Sequence, residues 1–356
     1  MWPKTALIER LALEHAIVQA PMASISKADL VAAVSNAGGL GSLGSAVMTA
    51  AQIGEQVAAI RARTEGPFAL NFFVHRPPRL DASAAENMRA RLAAYRTELD
   101  VQEAEPATLV GAPAFDRTML ELVLKLRPNA VSFHFGLPDT HAMSALRDAG
   151  IFVMGSATSV SEAKLLERGG VDAVIAQGIE AGGHRGTFAV PYAQGELGLM
   201  ALLPQVVDAV TVPVVAAGGI ADGRGIAAAL VLGAAGVQIG TAFLGSPEAA
   251  IDPVYRETLQ TARATNTRIT SVLTGRPARA IVTRFIDEMA EQEDQTLEFP
   301  LQRLLTSQLA RASVAQHNPE FHAMWAGQAA AMLRPMSAGD LLKTLVGETR
   351  RALRRE

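Results

Sequence analysis

Between residues 16 and 245 the chain repeats one unit, a short apolar run followed by an amphipathic stretch, and this rhythm constrains the fold more than any other feature. The runs are "AIVQAPM", "GLGSLG", "FALNFFV", "AVSFHFG", "IFVMGSA", "AVIAQG", "VPVVAAGG" and "GVQIGTAF". Several are apolar on both faces, as a parallel strand must be when a packed interior lies on one side and helices on the other. Helical periodicity falls at 28–37, 115–126, 140–148, 160–168, 203–210 and 224–232. Strands that alternate with helices form βα units, and eight of them close a ring. The expected fold is therefore α/β, a (β/α)8 TIM-type barrel. Two stretches break the rhythm: 76–113, with a charged helical pattern at 84–99, and the helical, polar chain beyond 246. They are assigned to a smaller, mainly helical cap, so that 1–75 and 114–245 form the barrel and 76–113 with 246–356 form the cap.

Composition narrows the function classes. A net charge of -3 with interspersed signs gives no electrostatic basis for a nucleic-acid partner. The basic end "ETRRALRRE" reads as a solvated helix terminus, where cations suit the helix dipole. With no cysteine there is no disulfide, thiolate metal site or thiol nucleophile, and no metal site is expected. A reducing cytoplasm is the expected location. Glu9, Arg10 and Glu14 interrupt what would have to be a signal core, and Asp222 and Arg224 interrupt the most apolar region, so no bilayer span is expected.

In a barrel of this type the loops after the strands form the active face, and the last strands commonly hold phosphate. Here Gly218 and Gly219 follow one such strand, and Gln238, Ile239, Gly240 and Thr241 end the next. Glycine turns with open N–H groups suit a phosphate. Pro21 and Met22 end the first strand, Asn71 lies in the third and Gln177 ends the sixth; amides that donate and accept match the edge of an isoalloxazine ring. The cofactor expected on these grounds is FMN. The sequence "EAGGHRGTF" at 180–188 then places Gly182 and Gly183 where chain passes close to a flat ligand, and His184 over its reactive face. A histidine there takes a proton or, as imidazolium, holds an anion. His75 and His134 are further pocket candidates, and Arg185 a source of positive potential. Arg276 and Arg279 in "TGRPARAI" are placed either at a substrate carboxylate or in ordinary salt-bridge or helix-end roles. "GLGSLG" formally matches a dinucleotide fingerprint, but it follows a helix where that motif follows a strand.

In combination, "IVQAPMA", "AVSNAGGLGSLG", "LNFFVHRPP", "VSFHFGLP", "VIAQGIEAGGHRGTF", "PVVAAGGIADGRG", "VQIGTAFL", "TGRPARAI" and "WAGQ" make the chain resemble class I nitronate monooxygenases, formerly 2-nitropropane dioxygenases. The resemblance spans nearly the whole chain. It implies a noncovalent FMN barrel that oxidises alkyl nitronates, typically propionate 3-nitronate, with O2 to a carbonyl product and nitrite. It also implies FMN contacts at Asn71, Gln177, Gly182, Gly219 and the run 238–241, and an active-site role for His184. The chain departs from the family in tyrosine, with only Tyr95, Tyr192 and Tyr255. "EAGGH" and "QIGT" also occur in flavin-dependent enoyl reductases and quinone reductases, so an FMN-dependent NAD(P)H reductase is the alternative, and a noncatalytic phosphate-binding barrel a third. The partners expected are the nitronate and O2; the oligomeric state is left open.

Overall fold

A computed structural model describes residues 4–102 and 115–354. The remainder of the expected insertion, 103–113, and the last two residues of the basic C-terminal end lie outside the described residues. The strands are β1 (Ile17–Gln19), β2 (Gly41–Leu43), β3 (Phe68–Phe73), β4 (Ala130–His134), β5 (Phe152–Ala157), β6 (Ala173–Gln177), β7 (Gly183–His184), β8 (Val214–Ala217), β9 (Gly236–Ile239), β10 (Thr267–Thr270) and β11 (Ala278–Ile281). Eight of them form one parallel sheet in the order β1-β9-β8-β6-β5-β4-β3-β2. A parallel bridge between Val18 and Leu40, with the Gln19 amide donating to the Leu40 carbonyl at 2.9 Å, joins its two edges. The barrel is thus an α/β TIM-type fold, and each of the eight apolar runs supplies one strand.

Side-chain caps start many of the helices. Asp139, Ser159 and Asp222 accept main-chain N–H bonds from the first turns of Thr140–Asp148, Val160–Arg168 and Gly223–Val231. One boundary differs from expectation: the helix after β7 begins at Leu199, not 203, although Gly198 has no side chain to cap it. Glu180 caps it from a distance, its carboxylate oxygens accepting from the Leu199 amide at 2.9 and 3.0 Å.

Two apolar clusters are buried. The larger fills the barrel and its helix layer. The smaller joins Met88 and Leu92 of helix Ala82–Glu98 to Val272, Phe285, Leu301 and Phe321. The insertion and the segment after β9 therefore share a core over the barrel mouth. The last helix, Ala338–Ala352, was expected in the cap but packs elsewhere. Its buried stripe Leu341, Leu342, Leu345 and Val346 joins the barrel cluster against Gly223–Val231 and Ala28–Asn36. Among the described residues, no helix is long and apolar enough to cross a membrane, and no acid or histidine cluster is arranged to hold a metal ion.

Candidate active site

A cavity of about 440 Å³ lies between the strand ends and the cap, within the roughly 300–1,000 Å³ range of small-molecule sites. Pro21, Met22, Asn71, Gln177, Gly182, Gly183, His184, Gly218, Gly219, Gln238, Gly240 and Thr241 line it, as does His134. Ile239 does not: it is buried in the barrel core, and its carbonyl accepts from the Ala20 amide at 2.8 Å. His75 is likewise absent from the lining, with its ring edge-on to Phe299 at 5.2 Å.

His184 lies on a short strand. Gly183 and His184 form β7, which pairs antiparallel with β11 in the register Ala278↔His184 and Arg279↔Gly183. The small β10-β11-β7 sheet was not anticipated, because two residues carry no strand periodicity. The His184 carbonyl accepts from Gln177 Nε2 at 3.0 Å and from His134 Nε2 at 3.1 Å. Since a carbonyl only accepts, His134 carries its proton on Nε2. The His184 ring meets Trp325 at 5.3 Å and Phe299 at 5.2 Å, and its Nε2 lies 3.0 Å from Thr274 Oγ1. The single Thr274 hydroxyl proton is donated to the Arg276 carbonyl at 3.2 Å. Thr274 therefore accepts from His184 Nε2–H, which leaves Nδ1 as the basic atom of that ring.

Burial is the main cause that holds both histidines neutral. It lowers His134 to about 3, with Arg276 and Arg185 adding to the effect. Burial, then His134, Arg276 and Arg303, hold His184 well below the ordinary histidine value. An imidazolium that offsets substrate charge, one of the two roles read for His184, is disfavoured in this environment.

Arg185 is not a substrate group in this arrangement. Its buried guanidinium donates to the carbonyls of Gly178, Gln177 and Gly195 at 2.6, 3.1 and 2.9 Å, so it clamps the loop that carries His184. Arg276 lies over the Phe135 ring at 3.8 Å and donates to the Thr187 carbonyl; Arg279 donates to the Ile179 carbonyl at 3.1 Å. Both are structural here, but through main-chain carbonyls and an aromatic ring, not through the ion pairs or helix ends expected of them.

The two adjacent glycines of "EAGGH" serve different purposes. A Cβ on Gly182 would lie 2.6 Å from the Gly327 amide nitrogen, so the close neighbour is the "WAGQ" segment and not a ligand. That segment is anchored by Gly327 N–H to Thr241 Oγ1 at 3.0 Å and Gln328 N–H to the Glu180 carbonyl at 2.9 Å. Gly183 has a φ of +74° and open space beside it. Both ends of the Gln177 amide are engaged within the protein, with Oε1 accepting from Gly186 N–H at 2.8 Å. Asn71 Nδ2 donates to Ser132 Oγ at 2.9 Å. Gln238 Oε1, by contrast, is buried with no hydrogen-bond partner among the described residues.

Three contributors were not singled out from the sequence. Thr274 fixes the His184 tautomer, Arg303 lines the cavity from helix Leu301–Ala315, and Glu162 is fully buried beneath the loop. The Glu162 carboxylate accepts from the amides of Thr158, Phe188 and Ala189 and from the Thr158 hydroxyl. Only Thr274 carried a usable signal, its place in "TGRPARAI"; Glu162 and Arg303 sit in ordinary helical patterns.

A closed parallel barrel whose strand-end cavity presents a buried, tautomerically fixed imidazole defines an enzyme of the βα-barrel class. The chain belongs to the nitronate monooxygenase family, whose description matches residues 4–348, and it is an oxidoreductase. It is 37% identical over 349 residues to a probable nitronate monooxygenase of Staphylococcus aureus (strain MRSA252), covering 98% of each chain. Among solved structures it resembles nitroalkane oxidase from Streptomyces ansochromogenes, with a TM-score of 0.90, 37% identity and coverage of 98% of this chain and 99% of that one. It also resembles FabK from Thermotoga maritima, with a TM-score of 0.77 and 29% identity over 99% of this chain and 97% of that one.

Proposed function

We propose that the protein binds FMN in the strand-end cavity and oxidises alkyl nitronates with O2 to a carbonyl compound and nitrite, with propionate 3-nitronate as the favoured substrate. The donor set fits the cofactor: the orphaned Gln238 Oε1 calls for a ligand N–H, and Gly218 and Gly219, at φ of +114° and +69°, present bare backbone to the same cavity. Gly240 and Thr241 complete the corner in which the phosphate would lie. When bound, the flavin supplies electron acceptance from the nitronate and delivery to O2.

The single observation that carries the reading is the neutral His184 at the cavity, tied through Nε2 to Thr274 and through its carbonyl to Gln177 and His134. Its basic Nδ1 takes a proton from a neutral nitroalkane, whereas an ionised nitronate requires no base. Phe73 and Trp325 wall the same space and exclude water around the reacting carbon. The likeness to FabK favours one competing reading, reduction of an enoyl thioester or quinone by NAD(P)H.

Anaerobic titration of the FMN-loaded protein separates the two. Bleaching of the flavin by propionate 3-nitronate, then nitrite release on admitting O2, is the expected result. Bleaching by NADH with no response to nitronate would sink the proposal.

A further inference from the structure

The cavity carries more positive charge than the chemistry above uses. Helix Leu301–Ala315 turns Arg303, Thr306, Ser307, Ala310 and Arg311 toward it, the spacing of one helical face. The hydroxyls on that face are spent: Thr306 donates to the Leu273 carbonyl at 2.7 Å and Ser307 to the Leu304 carbonyl at 3.2 Å. Arg303 and Arg311 have no hydrogen bond or ion pair among the described residues. Among the described residues one carboxylate lines the cavity, Asp252, and it is occupied with His322 Nε2 at 2.6 Å and the Tyr255 amide at 3.0 Å. Two guanidinium groups thus face the cavity uncompensated, an arrangement that invites an anion.

Position decides which anion. Eight residues of helix separate Arg303 from Arg311 by about 12 Å along the axis. Arg303 is the member whose charge acts on the His184 ring, and it is itself lowered by burial and by Arg311. Thr306, on the next turn of the same helix, donates to the Leu273 carbonyl, and the adjoining Thr274 accepts from His184, so this end of the helix stands on the His184 side of the cavity. His184 is neutral and Arg185, Arg276 and Arg279 hold main-chain carbonyls, so none of them is free for a second anionic group.

We infer that Arg303 is the specificity-determining residue of the site, binding a carboxylate at the far end of the substrate and selecting nitronates that carry such a group over neutral-tailed ones. Arg311, exposed two turns further on, draws the dianion toward the mouth. The inference rests on the nitronate reading, but its test does not require turnover.

Succinate is an unreactive shape and charge match for propionate 3-nitronate, and succinamide is its uncharged counterpart of the same shape. Calorimetric titration of the FMN-loaded protein is expected to show succinate binding at least about tenfold tighter than succinamide. Arg303→Met abolishes most of that ratio with flavin content and near-UV circular dichroism unchanged, and Arg303→Lys keeps part of it. Arg311→Met leaves the ratio but weakens the salt dependence of succinate association. A native protein that does not discriminate the two compounds, or an Arg303→Met variant that discriminates them equally well, overturns the inference. If nitronates are not oxidised while Arg303→Met erases the preference, the proposed reaction fails and the anion subsite stands.

Discussion

Gln177 Nε2 donates to the main-chain carbonyl of His184 across 3.0 Å while its Oε1 accepts from Gly186, so one amide holds the His184 loop on both sides of Arg185. Gln177→Leu keeps the volume but leaves a buried N–H without its acceptor, at a cost of about 1–3 kcal/mol. The loop then loses its register over the cavity. Expected are a lower thermal midpoint and at least about a tenfold fall in kcat for nitronate, since small misplacements of reacting groups are costly. Calorimetry and nitrite assays on the same preparation check both.

The two protonation routes at His184 separate by substrate. On the proposed reaction, His184→Asn should retain FMN and lose turnover; with a neutral nitroalkane the expected loss is about a hundredfold or more, the usual worth of a general base. Because the imidazole is held well below its ordinary value, the neutral form persists as pH falls from about 8 to about 6.5. The kcat/KM profile with a nitroalkane of fixed protonation state should therefore stay flat over that interval, with its acid limb further down. An acid limb centred near an ordinary histidine value would contradict this placement.

His134 makes a separate prediction about stability. In the unfolded chain it takes up a proton near 6.5, while burial delays this to about 3 in the folded protein. Between those values the unfolded state binds the extra proton, so stability is fully present above 6.5 and is lost as pH falls toward 3. The slope from this one group is at most about 1.4 kcal/mol per pH unit. His134→Gln, which keeps an N–H for the His184 carbonyl, should flatten the fall of the urea midpoint between about pH 6.5 and about pH 4.5.

The barrel was legible because its signal is repetitive: eight two-faced apolar runs separated by helical periodicity leave few alternatives, and all eight are strands. Site residues at strand ends were legible for the same reason, since topology alone brings Asn71, Gln177 and Gln238 to one face. What escaped depended on contacts between distant segments. Pairing of Gly183 with Arg279, docking of Gly327 on Gly182, and the turn of Arg303 into the cavity have no local periodicity to announce them. Arg185 was misread for a related reason: sequence shows its charge beside His184 but not the three carbonyls that its guanidinium meets.

Gly182 and Gly183 provide a last prediction, because neighbouring glycines with different constraints respond differently to one methyl group. At Gly183 a Cβ meets nothing within 4 Å but must sit at a φ of +74°. This left-handed conformation costs an L-residue roughly 1–2 kcal/mol. At Gly182 the backbone is permissive, but the added carbon lies 2.6 Å from the Gly327 nitrogen and 2.7 Å from the Ala326 carbonyl carbon, where only backbone can yield. Relief requires the "WAGQ" segment to lift, breaking the Gly327–Thr241 and Gln328–Glu180 bonds and moving Trp325 off the His184 ring. Gly182→Ala should consequently cost more stability than Gly183→Ala, exceeding the roughly 1–3 kcal/mol of ordinary overpacking. It should also raise the accessibility of the tryptophan that packs on His184, read as a red shift and stronger acrylamide quenching of its fluorescence in a Trp2→Phe background. Equal thermal midpoints for the two variants, with unchanged quenching in Gly182→Ala, would show that the close approach of Gly327 is not what requires glycine at 182.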